Sequence, residues 1–427
     1  MKLAVIGGGS TYTPELIDGV LLRRDRLPIN TIVLCDINPE RLKIVSDFAR
    51  RMVAASGGGI EIETTDSQAE AVKGARFVVS QFRIGQQAAR HRDELLGREF
   101  NLIGQETVGV GGFAKGLRTI PVALKLADEI IKHAPDAQLL NFTNPAGMIT
   151  EALLSQRPEL NTIGLCNVPW NIKNEISTTL DKPFKNLELD YIGLNHLSWV
   201  RGLKFEGKDL SNDAIRGFRG LTGKQAPGDD DPIWQPESID MIDAIPNYYL
   251  LYYYETQQWL AYQKKHNTRA SEVMEIEAEL FKKYQDPELK HKPEELMKRG
   301  GAYYSDSAAE LMADIASDAN TVHIVNAKHA GAVPGMIPDT VMEIPCTINA
   351  KGATPIPTTA MRPDVHSLVT TVKDFELLTI QAAVNGDSDA ALRALLANPL
   401  GPDLSTAPKV WQRLKEEHKG LLGALDD

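Results

Sequence analysis

Short apolar runs alternate with amphipathic stretches through the first 170 residues. Lys2–Ile6 is such a run and stops at Gly7-Gly8-Gly9-Ser10, the pattern of a buried strand that enters a tight turn. Pro14 then opens a helix predicted over 13–23, because proline's fixed φ suits a first turn. Thr31–Cys35 predicts a second strand, ending at Asp36. Further strands at Phe77–Ser80, 138–142 and 162–166 alternate with helices at 66–72, 120–133 and 148–154. This rhythm predicts an α/β fold with a doubly wound parallel sheet.

The texture changes after about residue 170. A Gly/Pro/Asp-rich stretch at 221–236, a long aromatic and charged helical region at 242–283 and a proline-punctuated region at 333–363 predict an α+β domain packed on the first. The expected division is therefore 1–170 and 171–427. Within the second half, 225–232 carries three adjacent carboxylates flanked by prolines, which predicts a mobile surface loop.

With 427 residues and 43% hydrophobic composition, the chain is long enough for one large core or two domains sharing an interface. Its net charge of -11 offers no electrostatic footprint for nucleic acid or an anionic membrane surface. No apolar stretch approaches the roughly 20 residues of a membrane span. The apolar run after Met1 meets glycines too soon for a signal peptide. Cys35, Cys166 and Cys346 are far apart and lack CxxC spacing, which suits a reducing compartment. The cytoplasm is the expected location.

The glycine turn between strand and helix is the place where backbone N–H groups and a helix N-terminus approach a pyrophosphate. Gly7, Gly8, Gly9 and Ser10 are the candidate cradle, although Tyr12 stands where a third glycine of G-x-G-x-x-G belongs. Asp36, at the end of the second strand, supplies a carboxylate for a ribose 2′-hydroxyl and favours NAD over NADP. An ordinary glycine turn with a strand-terminal aspartate is the plainer alternative. Asn144 follows another strand, where it either faces the crevice at the strand ends or merely caps a helix.

Cys166 in Gly164-Leu165-Cys166-Asn167-Val168-Pro169 and His196 in Gly193-Leu194-Asn195-His196 are one soft and one borderline metal ligand, 30 residues apart. Taken singly, each is more often a buried small hydrophobe or a satisfied core histidine. Residues 248–254 hold five tyrosines, most of them for packing, one of them a base if a cation lowers its pKa. Arg83, Arg90, Arg92, Arg98, Lys115 and Arg269 include groups suited to a phosphorylated substrate beside others that are solvated surface charges.

Together these segments resemble glycoside hydrolase family 4, the NAD- and Mn-dependent glycosidases, most closely its 6-phospho-β-glucosidase branch. That family is a known exception to the two-carboxylate rule of glycoside hydrolysis. The resemblance runs through Val5 to Thr13, Phe82 to Thr119, Asn141 to Gly147, Gly164 to Pro169, Gly193 to His196, Pro246 to Tyr254 and Thr268 to Ala270. It implies a Rossmann-type NAD-binding domain at 1–170, packed on a C-terminal α+β domain at 171–427 for substrate, metal and oligomerisation, like lactate and malate dehydrogenases. It makes Cys166 and His196 the ligands of Mn²⁺ or another divalent metal and Tyr249 the catalytic base. Glu106 falls at a carboxylate position that raises the tyrosine's basicity, and Arg90, Asn144 and Arg269, with Arg83 beside them, fall at substrate-binding positions.

Asn167, at the adjoining catalytic position, departs from α-acting members, which carry Asp there. An amide is no general acid, so the acid stays unassigned and the β-linked branch is favoured. The implied reaction hydrolyses a small-molecule 6-phospho-β-glucoside by NAD-dependent oxidation at C3, C2 deprotonation, elimination of the aglycone, water addition and re-reduction. The implied assembly is a homodimer or homotetramer, without nucleic acid or membrane. Other family 4 specificities, a 2-hydroxy-acid dehydrogenase and a non-catalytic NAD or sugar-phosphate sensor are the alternatives.

Overall fold

The computed structural model describes residues 1–224, 229–299 and 304–426. Residues 225–228 of the predicted 225–232 loop thus lie outside the described residues. Six strands form a parallel block: β1 (Lys2–Ile6), β2 (Thr31–Cys35), β3 (Glu61–Thr65), β4 (Phe77–Ser80), β5 (Gln138–Asn141) and β6 (Thr162–Gly164). Their order is β3-β2-β1-β4-β5-β6, so the winding reverses between β1 and β4 and leaves a crevice at the strands' carboxyl ends. β1, β2, β4 and β5 are buried almost throughout because helices cover both faces, which is why they read as continuous apolar runs. β3 escaped the pattern: it is an edge strand in which only Ile62 is buried.

The sheet does not stop with the first half. β7 (Leu187–Leu194), β8 (Leu197–Phe205), β9 (Lys208–Asp209) and β10 (Ile245–Pro246) make a separate antiparallel sheet. β11 (Thr321–Lys328), β12 (Val341–Asn349) and β13 (Gly352–Pro355) return to the first sheet, where Asn326 of β11 pairs antiparallel with Gly164 of β6. The main sheet is therefore mixed and nine-stranded among the described residues, rather than purely parallel. Gly164 permits the junction, since a Cβ there would lie 2.2 Å from Thr150 Oγ1 and 2.8 Å from Asn326 Cβ. The predicted 162–166 strand ends early, at Gly164, and leaves Cys166 in the loop before helix Val168–Leu180.

The helix expected at 120–133 instead runs from Gly109 to His133. Glycines at 109, 111, 112 and 116 argue against a helix by propensity, yet packing requires several of them. A Cβ on Gly111 would sit 2.2 Å from the Gln105 carbonyl oxygen, and one on Gly112 2.4 Å from the Thr107 carbonyl. The glycines let residues 104–108 lie directly against the helix's first turn. The region 242–283 likewise breaks into separate helices, Leu251–Tyr254, Thr256–Lys265 and Arg269–Tyr284. Among the described residues, no helix is long and apolar enough to cross a membrane.

A fully buried ion pair ties the helices that flank this loop. Arg118 grips Asp93 of helix Gln86–Glu99 through two contacts of 2.9 and 2.5 Å, and His418 Nε2 lies 2.8 Å from the same carboxylate. Burial raises the Asp93 carboxyl, but Arg118 and His418 outweigh it and hold the group below its ordinary value. A depressed carboxyl contributes stability above its unfolded pKa and loses it as pH falls through the folded one. Arg118→Met strands that charge and should cost about 3–5 kcal/mol in urea unfolding at pH 7. The cost should shrink as acid protonates Asp93; a pH-independent loss would contradict the assignment.

Candidate active site

The carboxyl ends of β1, β2 and β4 open into a cleft of about 1210 Å³. Gly7 and Gly8 both donate their N–H to the Cys35 carbonyl at 2.9 Å, which folds the turn back on β2. Gly7, at φ +89°, has no room for a Cβ, which would lie 2.9 Å from the Phe82 backbone. Gly8 faces β2 rather than the cleft, with its missing Cβ 2.8 Å from Leu34 Cβ. Asp36 is held by two backbone donors, Gly9 N–H and Asn38 N–H, each at 2.9 Å. Gly7, Gly9, Ser10 and Asp36 line the cleft and fit a dinucleotide: bare backbone at the turn, a fixed carboxylate beside it. At Tyr12, the third-glycine position, the Arg299 guanidinium covers the ring at 4.1 Å, and Glu277 joins Arg299, Arg41 and Gln87 in one network.

Across the cleft, Cys166 Sγ lies 3.3 Å from His196 Nε2, and both residues are buried. Metal–sulfur and metal–nitrogen bonds of about 2.3 and 2.1 Å place S and N about 3.1 Å apart at a right angle and about 3.6 Å apart at the tetrahedral angle. The observed separation falls between these, so the pair fits a divalent transition metal. Among the described residues no third histidine, cysteine or carboxylate completes a metal-ligating group, which leaves coordination positions for substrate oxygens or water. Burial lowers the His196 pKa to about 3, so the ring is neutral and a competent ligand. Burial, with Glu343 next, raises the Cys166 thiol, while the Val168 N–H and Asn195 favour the thiolate.

His196 occupies the two-residue turn between β7 and β8 at φ +66°, a backbone region that favours Gly or Asn. The ring of Tyr249 stacks on its imidazole, centroids 3.7 Å apart and planes 3° from parallel. Asn247 fixes the tyrosine's backbone by accepting its N–H at 3.0 Å and anchoring its own amide on Ser198. Burial raises the Tyr249 phenol, Tyr252, Cys166 and Glu106 raise it further, and Arg90 lowers it.

Glu106 is buried beneath three cations: Arg83 at 2.7 Å, Arg90 at 2.9 Å and Lys115 in a short contact. Against burial they hold its carboxyl well below the ordinary range. Lys115 is lowered to about 7, by burial first and then by Arg83. Of the six basic residues read from the sequence, Arg83, Arg90, Lys115 and Arg269 line the cleft, whereas Arg92 and Arg98 do not. Asn144 and Asn167 also line it, Asn167 as the residue before helix Val168–Leu180. Arg269 stands exposed at the start of its helix, 2.8 Å from Glu272. Sequence reasoning missed Arg41, Glu277 and Arg299, which carry no motif. It also passed over Gln105 and Thr107, although they flank Glu106 in a segment that had drawn attention.

A dehydrogenase-type cofactor cleft with a thiol, an imidazole and a tyrosine at its floor defines a dinucleotide-binding enzyme. Known proteins narrow the class: residues 2–182 match the family 4 glycosyl hydrolase model and residues 191–401 match the C-terminal domain of that family. The chain belongs to family 4 of the glycosyl hydrolases. It is 39% identical over 432 residues to a probable 6-phospho-beta-glucosidase of Bacillus subtilis (strain 168), covering 99% of this chain and 97% of that one. Its structure is similar to that of the 6-phospho-beta glucosidase from Thermotoga maritima with manganese, NAD+ and glucose-6-phosphate, at TM-score 0.91, 35% identity and 98% of each chain. A lactate dehydrogenase from Cryptosporidium parvum shares the fold at TM-score 0.54 and 16% identity, over 90% of this chain and 98% of that one, in line with the dehydrogenase-like architecture read from the sequence.

The charge balance under the cleft can be tested without substrate. Glu106→Gln leaves Arg83, Arg90 and Lys115 facing one another and should lower stability by about 3–5 kcal/mol in urea unfolding at pH 7. A loss below about 1 kcal/mol would be the surface value and would show that the cluster is solvated.

Proposed function

We propose that this protein hydrolyses 6-phospho-β-glucosides with NAD and a divalent cation. The observation that carries the reading is that one cleft joins a dinucleotide cradle to Cys166, His196 and Tyr249. Full-length relatives named 6-phospho-beta-glucosidase support the substrate class. Bound NAD⁺ supplies reversible hydride removal from the sugar, and the cation supplies Lewis-acid charge beside the sugar oxygens.

The protein's own groups do the rest. Gly7, Gly9 and Ser10 seat the pyrophosphate, while Asp36 accepts the ribose hydroxyl. Cys166 and His196 hold the cation and leave positions open for sugar oxygens. Tyr249 removes the C2 proton; its phenol needs neighbouring positive charge, which Arg90 contributes. Glu106 fixes Arg83, Arg90 and Lys115 in place, and Asn144 and Arg269 bind substrate, Arg269 from an exposed position suited to a phosphate. Asn167 orients by hydrogen bonding and gives up no proton, which leaves departure of the aglycone to water or to a good leaving group. In this reading residues 1–170 carry NAD and also supply Cys166, Arg83, Arg90 and Asn144 to the shared site, while 171–427 supply His196, Tyr249, Arg269 and the contacts of a homodimer or homotetramer in the cytoplasm.

Phosphorylated and plain aryl β- and α-glucosides, each with and without NAD⁺ and Mn²⁺, test the assignment together. Cleavage of the 6-phospho-β substrate only when both additions are present is expected. Net NADH accumulation with a 2-hydroxy acid and no glycoside cleavage would overturn it. Tyr249→Phe should lower turnover by a factor on the order of 10² or more while NAD binding is kept. Near-parental turnover in that variant would remove Tyr249 from the role of base.

A further inference from the structure

The loop that carries Glu106 presents Thr107 to the opposite wall, with the Gln105 side chain folded back on it. Gln105 Oε1 receives the backbone N–H of Thr107 at 2.6 Å and that of Val108 at 3.3 Å. A backbone N–H only donates, so the amide atom at this place is the oxygen, whichever way the side chain is drawn. Thr107 Oγ1 lies 2.8 Å from the same Oε1 and 2.7 Å from His196 Nδ1. The hydroxyl has a single proton. Were it aimed at Nδ1, two oxygen lone pairs would face each other at hydrogen-bond distance. The proton therefore goes to Gln105, and Nδ1 must carry the hydrogen that reaches Oγ1. That leaves Nε2 with its lone pair directed at Cys166 Sγ, 3.3 Å away.

We infer that Thr107, oriented by Gln105, is a positioning residue that locks His196 in its Nδ1–H tautomer and so keeps Nε2 ready to bind a divalent cation. The inference rests on the proposed Cys166–His196 metal pair. Its specificity comes from the backbone: the amide oxygen is fixed by main-chain donors, and the loop by its close packing on the glycine turn at Gly111 and Gly112. Without the hydroxyl the Nδ1 proton loses its acceptor, the other tautomer becomes accessible, and that tautomer places a proton where the metal must sit.

The test is Mn²⁺ affinity, measured by calorimetry on the full-length protein without substrate. Thr107→Val, which removes the hydroxyl at nearly constant shape, should weaken Mn²⁺ binding about 10–100-fold. Thr107→Ser, which keeps the hydroxyl, should restore affinity to within about threefold of the parent, a loss clearly smaller than that range. NAD affinity should be unchanged in both, which separates the effect from misfolding. Parental Mn²⁺ affinity in Thr107→Val would overturn the inference. Nitrogen-15 spectra of the metal-free parent give an answer that needs no variant at position 107, with His196→Gln used only to assign the resonance. A protonated Nδ1 is expected, and a protonated Nε2 would refute it. If Cys166→Ser and His196→Gln both leave Mn²⁺ binding intact, the metal pair itself is wrong, an outcome distinct from failure of the threonine alone.

Discussion

The architecture of the site depends on one close approach, that of residues 104–108 to the first turn of helix Gly109–His133. Bare glycine backbone is the only surface flat enough to accept it, because a Cβ at 111 or 112 would penetrate the carbonyls of Gln105 and Thr107. From this one contact two side chains, Glu106 and Thr107, reach two different walls. Glu106 turns to the cations and Thr107 to the imidazole across the cleft, while Gln105 folds back to hold the Thr107 hydroxyl. The buried Asp93–Arg118 pair clamps the helices on either side of the loop, so its geometry is inherited from the core.

The two halves of the chain are joined by the same logic. β11 completes the sheet that β1 began, and the thiol just past β6 meets a histidine from the β7–β8 turn. Arg299 and Glu277, far along the chain, close over the cofactor turn at Tyr12 and Arg41. The glycine turn at Gly7–Ser10 and the Cys166–His196 pair thus line one cleft. This suits a hydrolysis that proceeds through a transient oxidation, in which hydride and proton leave neighbouring carbons of the same sugar.

Positive charge is concentrated under that cleft in a chain whose net charge is -11. Arg83, Arg90 and Lys115 surround Glu106, Arg90 pairs also with the buried Glu94 at 2.7 Å, and burial lowers Lys115 to about 7. Arg90 pulls the Tyr249 phenol down, but burial, Tyr252, Cys166 and Glu106 outweigh it, so the phenol keeps its proton unless a further positive charge is brought beside it.

The sequence determined the strands whose two faces are both covered, because burial on both sides leaves an unbroken apolar run. It made Gly7 to Ser10 legible as a tight turn between a strand and a helix, and the resemblance drew Cys166, His196, Tyr249 and Glu106 into one set. It was silent on β3, whose single buried side chain makes no pattern, and misleading at Gly109–Gly116, where low helix propensity yields to packing. Only the tertiary structure decided that β11, β12 and β13 extend the first sheet, because pairing across more than 150 residues leaves no local trace. It alone also gave Thr107 and Gln105 their meaning, since a proton's place on His196 is settled by hydrogen bonds between segments that the chain keeps 89 residues apart.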